Sequence, residues 1–241
     1  MIGDASRYEG SIYALFETLQ HFPLFDRAEL YRHTGTLGLP TQLIWGRQDH
    51  VTPISSLDQV RELARHGRVV ALGETGLDYY RNLSPPSLQR QAFAAFIGLA
   101  QELALPLIVH CREAQEDCLR MLDECRDPGQ TIIMHCFAGG MEFARQCLER
   151  GFFLGLAGTL TYPKAVALRQ VAAEAPLAQL LVETDCPWLP PQPYRGQRNE
   201  SAYVRCVAEV LAQERGMSLE DVLAHTTRNA QQAFGLTGEP L

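Results

Sequence analysis

The chain has 241 residues, 46% of them apolar and 20% charged, enough to bury a sizeable core as one domain or two small ones. Its net charge of −7 excludes a wholesale basic surface for nucleic acid. It leaves nucleic acid open as a substrate, because a bound metal can supply positive charge locally. The seven cysteines include no C-x-x-C pair, as expected of thiols in a reducing cytoplasm. The segment MIGDASRYEG has neither the charged nor the apolar region of a signal peptide. No apolar run approaches the roughly 20 residues needed to cross a bilayer. The expectation is a soluble cytoplasmic protein with no membrane partner.

In chain order, residues 10–22 suggest a helix, 27–31 a short helical turn, and 41–45 a strand running into Gly46. From residue 68 onward a strand-then-helix rhythm repeats. Short apolar runs at 69–72, 107–109, 132–134, 152–156 and 180–182 are too short for buried helices and read as buried strands. Between them, Ser87 is the expected N-cap of a helix whose apolar stripe is Phe93, Phe96, Ile97, Ala100 and Leu103. A further helix is expected over 202–215, stopped by Gly216. Ser218 and Asp221 then form a capping-box-like start for the last helix, ending before Gly235. Cys111, Cys118 and Cys125 recur every seven residues and read as a helix stripe. Alternating β and α units imply a parallel sheet, either a (β/α) barrel or an open doubly wound sheet.

Four polar side chains stand where apolar strands end. Glu74 follows VVALG, His110 follows PLIV, His135 follows TIIM, and Asp185 follows LLVET. In a parallel barrel those ends share one face, where active sites are built. Two imidazoles and two carboxylates converging there suit Zn²⁺, Mn²⁺ or Mg²⁺. A carboxylate bridging two ions about 3.5–4 Å apart helps generate a hydroxide nucleophile at neutral pH. The plainer alternative makes each a hydrogen-bonded strand-end group. Four at equivalent places on four strands argue against it.

These segments resemble the TatD family of metal-dependent hydrolases, (β/α)-barrel deoxyribonucleases. The resemblance runs through VVALGETGLDYYR at 69–81, LPLIVHCREA at 105–114, IIMHCFAGG at 132–140 and GLAGTLTYPKA at 155–165. It continues through LLVETDCPWLPPQPYRGQRNESAYV at 180–204 and HTTRNAQQAFGL at 225–236, covering about residues 57–241. It implies a TIM-like (β/α) barrel, incomplete, with five recognisable strands and one foreign one. It also implies one or two divalent ions per chain and hydrolysis of DNA or a small phosphodiester. By that resemblance Glu74 is the bridging carboxylate, and His110 and His135 are ligands of the second ion. Asp185 completes the first-ion site and handles the proton of the attacking water. Arg112, Arg195 and Arg198 would contact phosphate, where guanidinium forks fit two oxygens.

One departure stands out. Family members begin with a strand carrying His-x-His, yet no two of the seven histidines here (His21, His33, His50, His66, His110, His135, His225) are spaced i, i+2. An incomplete barrel would also expose sheet edges open to self-association. Residues 7–55 resemble instead the late part of an α/β-hydrolase, through YEGSIYALFETLQHFPLFD and LGLPTQLIWGRQDHVTP, with Asp49 at the acid position. No G-x-S-x-G nucleophile elbow accompanies it, so Asp49 runs no triad. If the strand at 41–45 took a vacant barrel place, Asp49 and His50 would reach the metal-bearing end. The expected organisation is a hydrolase-like fragment at 1–55 and a TatD-like domain at 56–241. Its two expected readings are a metal-dependent nuclease and a catalytically inactive fusion remnant.

Overall fold

A computed structural model describes residues 41–44, 57–64 and 69–236. The helices expected within 10–31, the strand-end pair Asp49 and His50, and His21, His33 and His66 lie outside them. Among the described residues are six strands: β1 (Thr41–Ile44), β2 (Val69–Asp78), β3 (Leu107–Arg112), β4 (Ile132–Met134), β5 (Phe153–Leu156) and β6 (Leu180–Val182). Seven helices accompany them: α1 (Leu57–Ala64), α2 (Pro86–Glu102), α3 (Gln115–Cys125), α4 (Met141–Glu149), α5 (Val166–Glu174), α6 (Val204–Arg215) and α7 (Leu219–Ala233).

The strands form one sheet in the order β1-β2-β3-β4-β5-β6, every neighbouring pair parallel. A doubly wound sheet would reverse its order at a switch point. Sequential order without reversal is the winding of a TIM-like barrel. Among the described residues no pairing joins β1 to β6, so the strands make an arc. The architecture is therefore the incomplete TIM-like (β/α) fold expected from the sequence, with β1 as the sixth strand.

The short apolar runs became strands because flanking helices cover one face and side chains of neighbouring strands cover the other. Ala71, Ile108, Ile133, Phe153 and Leu181, one from each of β2 to β6, form a single buried cluster with Ala233. Ala230 and Phe234 of the C-terminal end pack against it. Ile108 pairs with Ile133, and Ile133 with Phe153, so the cluster is a row across the sheet. Side chains alternate faces along a strand, so the residue two places on stands on the same face. Those residues include His110, His135, Gly155 and Glu183. The polar site is built directly above this apolar row.

Three local expectations need correction. The helix expected to be capped by Ser87 begins two residues earlier, with Pro85 at the N-cap and Pro86 at its first position. Proline's fixed φ and missing N–H suit that place, and Ser87 falls inside the first turn. Strands β2 and β3 run past Glu74 and His110, because glycine and polar residues continue the ladder beyond the apolar runs. Cys111 lies on β3, whereas Cys118 and Cys125 lie on α3, so the seven-residue spacing marks no helix stripe. The other caps stand as expected. Gly216 closes α6 in the left-handed conformation, and Ser218 Oγ accepts the Asp221 N–H at 3.1 Å to open α7.

Candidate metal centre

The ladder between β2 and β3 steps from Leu72↔Leu107 to Thr75↔Val109, three residues against two. This is a bulge, and Glu74 sits in it. The extra residue turns the Glu74 carboxylate to the face carrying His110, whose Nδ1 stands 3.6 Å from Glu74 Oε2. His135, directly after β4, brings its Nε2 to 2.7 Å from the same oxygen and 3.3 Å from Asp185 Oδ1. Glu74, His110, His135 and Asp185 are all largely shielded from solvent. The four strand-end residues singled out in the sequence converge on one spot.

Two carboxylates that sequence reasoning missed complete it. Asp78 Oδ2 lies 3.2 Å from His110 Nε2, the ring nitrogen away from Glu74. Glu183 Oε2 lies 2.5 Å from His135 Nδ1, again the far nitrogen. Each imidazole is thus backed by one carboxylate and presents its other nitrogen to Glu74. The available signal was spacing: Glu183 is two residues before Asp185, and Asp78 four after Glu74, on segments already assigned to the site.

Electrostatics follow from that crowding. Burial works to raise the Glu74 carboxyl, but His110 and His135 outweigh it and hold Glu74 far below the ordinary carboxylate range. Burial likewise opposes charge on His135. The Glu183 charge, with hydrogen bonds to Asp185, Glu183 and Glu74, overcomes it and keeps the imidazole protonated far above its ordinary range. Asp78 is lowered despite partial burial, through the Arg81 N–H (2.7 Å), His110 and Arg112.

The surrounding loops are fixed by buried amides. Gln89 of α2 accepts the Asp78 N–H at 2.8 Å and donates to Ser84 O at 2.7 Å. Asn199, fully buried, donates to Thr184 O at 2.7 Å and Trp188 O at 2.6 Å, clamping the turn that carries Asp185. Asp185 itself adopts a positive φ of 54°, a conformation a non-glycine residue holds only when its surroundings enforce it. Of the arginines expected at phosphate, Arg112 lies with its guanidinium 3.9 Å over the Tyr80 ring, and Arg195 lies 4.3 Å over Tyr162. Arg198 is exposed in the loop before Asn199. His225 is on α7, beside Arg228 and apart from this cluster.

The donor set suits a divalent ion in kind: two imidazoles and two carboxylates on one face, each imidazole oriented by a carboxylate behind it. These donors touch one another here, and no three described His, Cys, Asp or Glu side chains surround a common ion position. Glu74, His110, His135 and Asp185 are the side chains on this face that could hold an ion.

A parallel, sequentially wound β/α sheet with this cluster at its C-terminal strand ends defines the class of TIM-like metal-dependent hydrolases. Within it, the chain belongs to the TatD related DNase family, whose family model matches residues 40–235. It is 41% identical to the uncharacterized metal-dependent hydrolase YabD of Bacillus subtilis over 189 residues, 76% of this chain and 74% of that protein. It is 38% identical to the 3'-5' ssDNA/RNA exonuclease TatD of Citrobacter rodentium, over 73% of this chain and 68% of that one. Among solved structures it is similar to YjjV, the TatD homologue of Escherichia coli K12. That match has a TM-score of 0.76 and 28% identity, covering 87% of this chain and 84% of the other.

Proposed function

We propose that this metal-dependent hydrolase cleaves phosphodiester bonds of single-stranded nucleic acid, as a TatD-like nuclease working from the 3' end. One observation carries the reading: both imidazoles meet a carboxylate on the far nitrogen while their near nitrogens converge on Glu74. That is how histidines are held for metal ligation. Glu74, His110, His135 and Asp185 serve as ligands in this reading. A divalent ion there supplies Lewis-acid polarisation of the phosphodiester and acidifies water. Asp185 takes the proton of the attacking water, and the charge of Glu74 keeps the imidazoles turned inward. Arg112, Arg195 and Arg198 bind phosphate oxygens.

The substrate side also offers aromatic faces. Trp188, 66% exposed, stands three residues after Asp185 on the turn clamped by Asn199. Tyr80, 59% exposed, stands two residues after Asp78 and is backed by Arg112. Exposed rings beside a phosphate-cleaving site suit stacking of unpaired bases. None of the seven cysteines is in a disulfide, in keeping with a cytoplasmic setting. No helix among the described residues is long and apolar enough to cross a membrane.

The test is metal analysis of the purified protein with a nuclease assay on the same sample. Chelator-sensitive shortening of single-stranded DNA with Mn²⁺, Zn²⁺ or Mg²⁺, lost in Glu74→Ala, His135→Ala and Asp185→Ala, is the expected result. No cleavage with any of the three ions overturns it. A second reading, a chain that binds metal but hydrolyses poorly or not at all, is favoured by the absence of any His-x-His pair. It expects one weakly held ion; two at high occupancy would exclude it.

A further inference from the structure

Glu183 extends from β6 and His135 from β4, so β5 stands between them. The two side chains nevertheless meet at 2.5 Å. The crossing point on β5 is Gly155, two residues beyond the buried Phe153 and therefore on the same face. A Cβ placed on Gly155 would stand 2.0 Å from Glu183 Oε1, 3.0 Å from its Cδ and 3.3 Å from Met134 O. The carboxylate occupies the volume where β5 would otherwise carry a side chain. From there it accepts the Cys136 N–H at 2.7 Å with one oxygen and the His135 Nδ1–H with the other. The strand cannot easily move aside, because Gly155 O accepts the Phe137 N–H at 2.8 Å and Leu156 O accepts the Glu183 N–H at 3.0 Å.

We propose that Gly155 and Glu183 form one positioning device: a side-chain gap on β5 through which a β6 carboxylate reaches across to β4 and fixes the His135 ring. With Nδ1 committed to Glu183, Nε2 is aimed at Glu74 and Asp185. The same carboxylate anchors the backbone at Cys136, whose φ of 46° turns the chain sharply after the ligand. Glu183 acts through His135, and Gly155 acts through Glu183. This deepens the reading of His135 as a metal ligand and rests on it.

The experiment is a double-mutant cycle on the full chain with Gly155→Ala and Glu183→Ala, plus Glu183→Gln. It has three readouts: Tm, the ¹⁵N resonances of the His135 ring in metal-free protein, and Mn²⁺ binding by calorimetry. Gly155→Ala and Glu183→Ala should each shift the His135 Nδ1 resonance and weaken Mn²⁺ binding about 10- to 100-fold. Gly155→Ala should lower Tm in the wild-type chain but not in the Glu183→Ala background, where the methyl has room. Glu183→Gln keeps an acceptor oxygen and should fall between wild type and Glu183→Ala in both ring resonance and affinity. Additive losses in the double variant, or an unchanged Nδ1 resonance in Glu183→Ala, overturn the proposal. Absence of Mn²⁺ binding in the wild type would instead strike the metal reading, leaving Tm and the ring resonances to decide the positioning role.

Discussion

Replacing Gly76 by alanine perturbs the site through the backbone. Gly76 pairs with His110 across the β2–β3 ladder at φ +147°, and a Cβ there would lie 2.0 Å from the His110 carbonyl oxygen. Ordinary carbon contacts form at about 3.5 Å, so β3 would have to retreat by roughly 1.5 Å at the residue that carries the imidazole. Overpacking of this kind costs about 1–3 kcal/mol, and a glycine-only backbone conformation costs a similar amount again. Gly76→Ala should therefore lose about 4 kcal/mol. At about 2–4 °C per kcal/mol for a chain of this size, Tm should fall by roughly 8–16 °C. Gly98→Ala is the matched control: it lies exposed within α2, with nothing within 4 Å of its added Cβ. It should gain about 1 kcal/mol and raise Tm by roughly 2–4 °C. Differential scanning calorimetry of the three proteins at one pH decides the matter. A Gly76→Ala midpoint within 2 °C of wild type would refute the close approach of β2 to β3.

Asn199→Ala removes two buried donors from the Asp185 turn and should cost about 2–3 kcal/mol, read by urea unfolding. Its metal affinity should fall as well, whereas an unaltered unfolding midpoint would dismiss the clamp. Trp188→Ala should weaken binding of single-stranded oligonucleotides by about 1–3 kcal/mol, measured by fluorescence anisotropy, while leaving metal content unchanged. Equal affinity in the variant would rule out stacking. Asp123 is held below its ordinary 3.8 by the Arg150 fork, Nε to Oδ1 at 2.9 Å and Nη2 to Oδ2 at 2.7 Å. A carboxylate with a depressed folded value stabilises above its unfolded value and loses that contribution as pH falls through the folded one. Asp123→Asn should thus flatten the acid limb of the Tm–pH curve below about pH 4, and superimposable limbs would contradict it.

Much of this architecture was legible because buried parallel strands have few ways to be written. Runs such as IIM and LLV cannot make helices between turn residues, and β4 and β6 appear with the bounds expected for them. The four ligand candidates were legible for a related reason, since each interrupts an apolar run at the end that a parallel sheet gathers together. What stayed hidden depends on neighbours across the sheet. Glu183 looks like one more polar residue beside Asp185 until Gly155 is seen to leave room for it. Gln89 falls outside the apolar stripe of α2, yet it is buried and holds the end of β2. The cysteine spacing misled because a seven-residue period carries meaning only within one continuous helix. Ser87 misled because the two prolines before it outrank a hydroxyl in setting where the helix begins.

The sequential strand order has a consequence for how the molecule is made. Among the described residues every strand adjoins only its immediate predecessor and successor, so each β/α unit can dock on the one just completed as the chain emerges from the ribosome. The apolar row grows by one residue per strand. The polar cluster above it does not grow evenly. His110 and Glu74 meet once β3 has paired, and His135 joins with β4, but the carboxylates of Glu183 and Asp185 arrive only with β6. A nascent chain halted before Leu180 would carry a nearly complete sheet and an unfinished site. The polar cluster would then be completed late in synthesis, after the scaffold that restrains it is already in place.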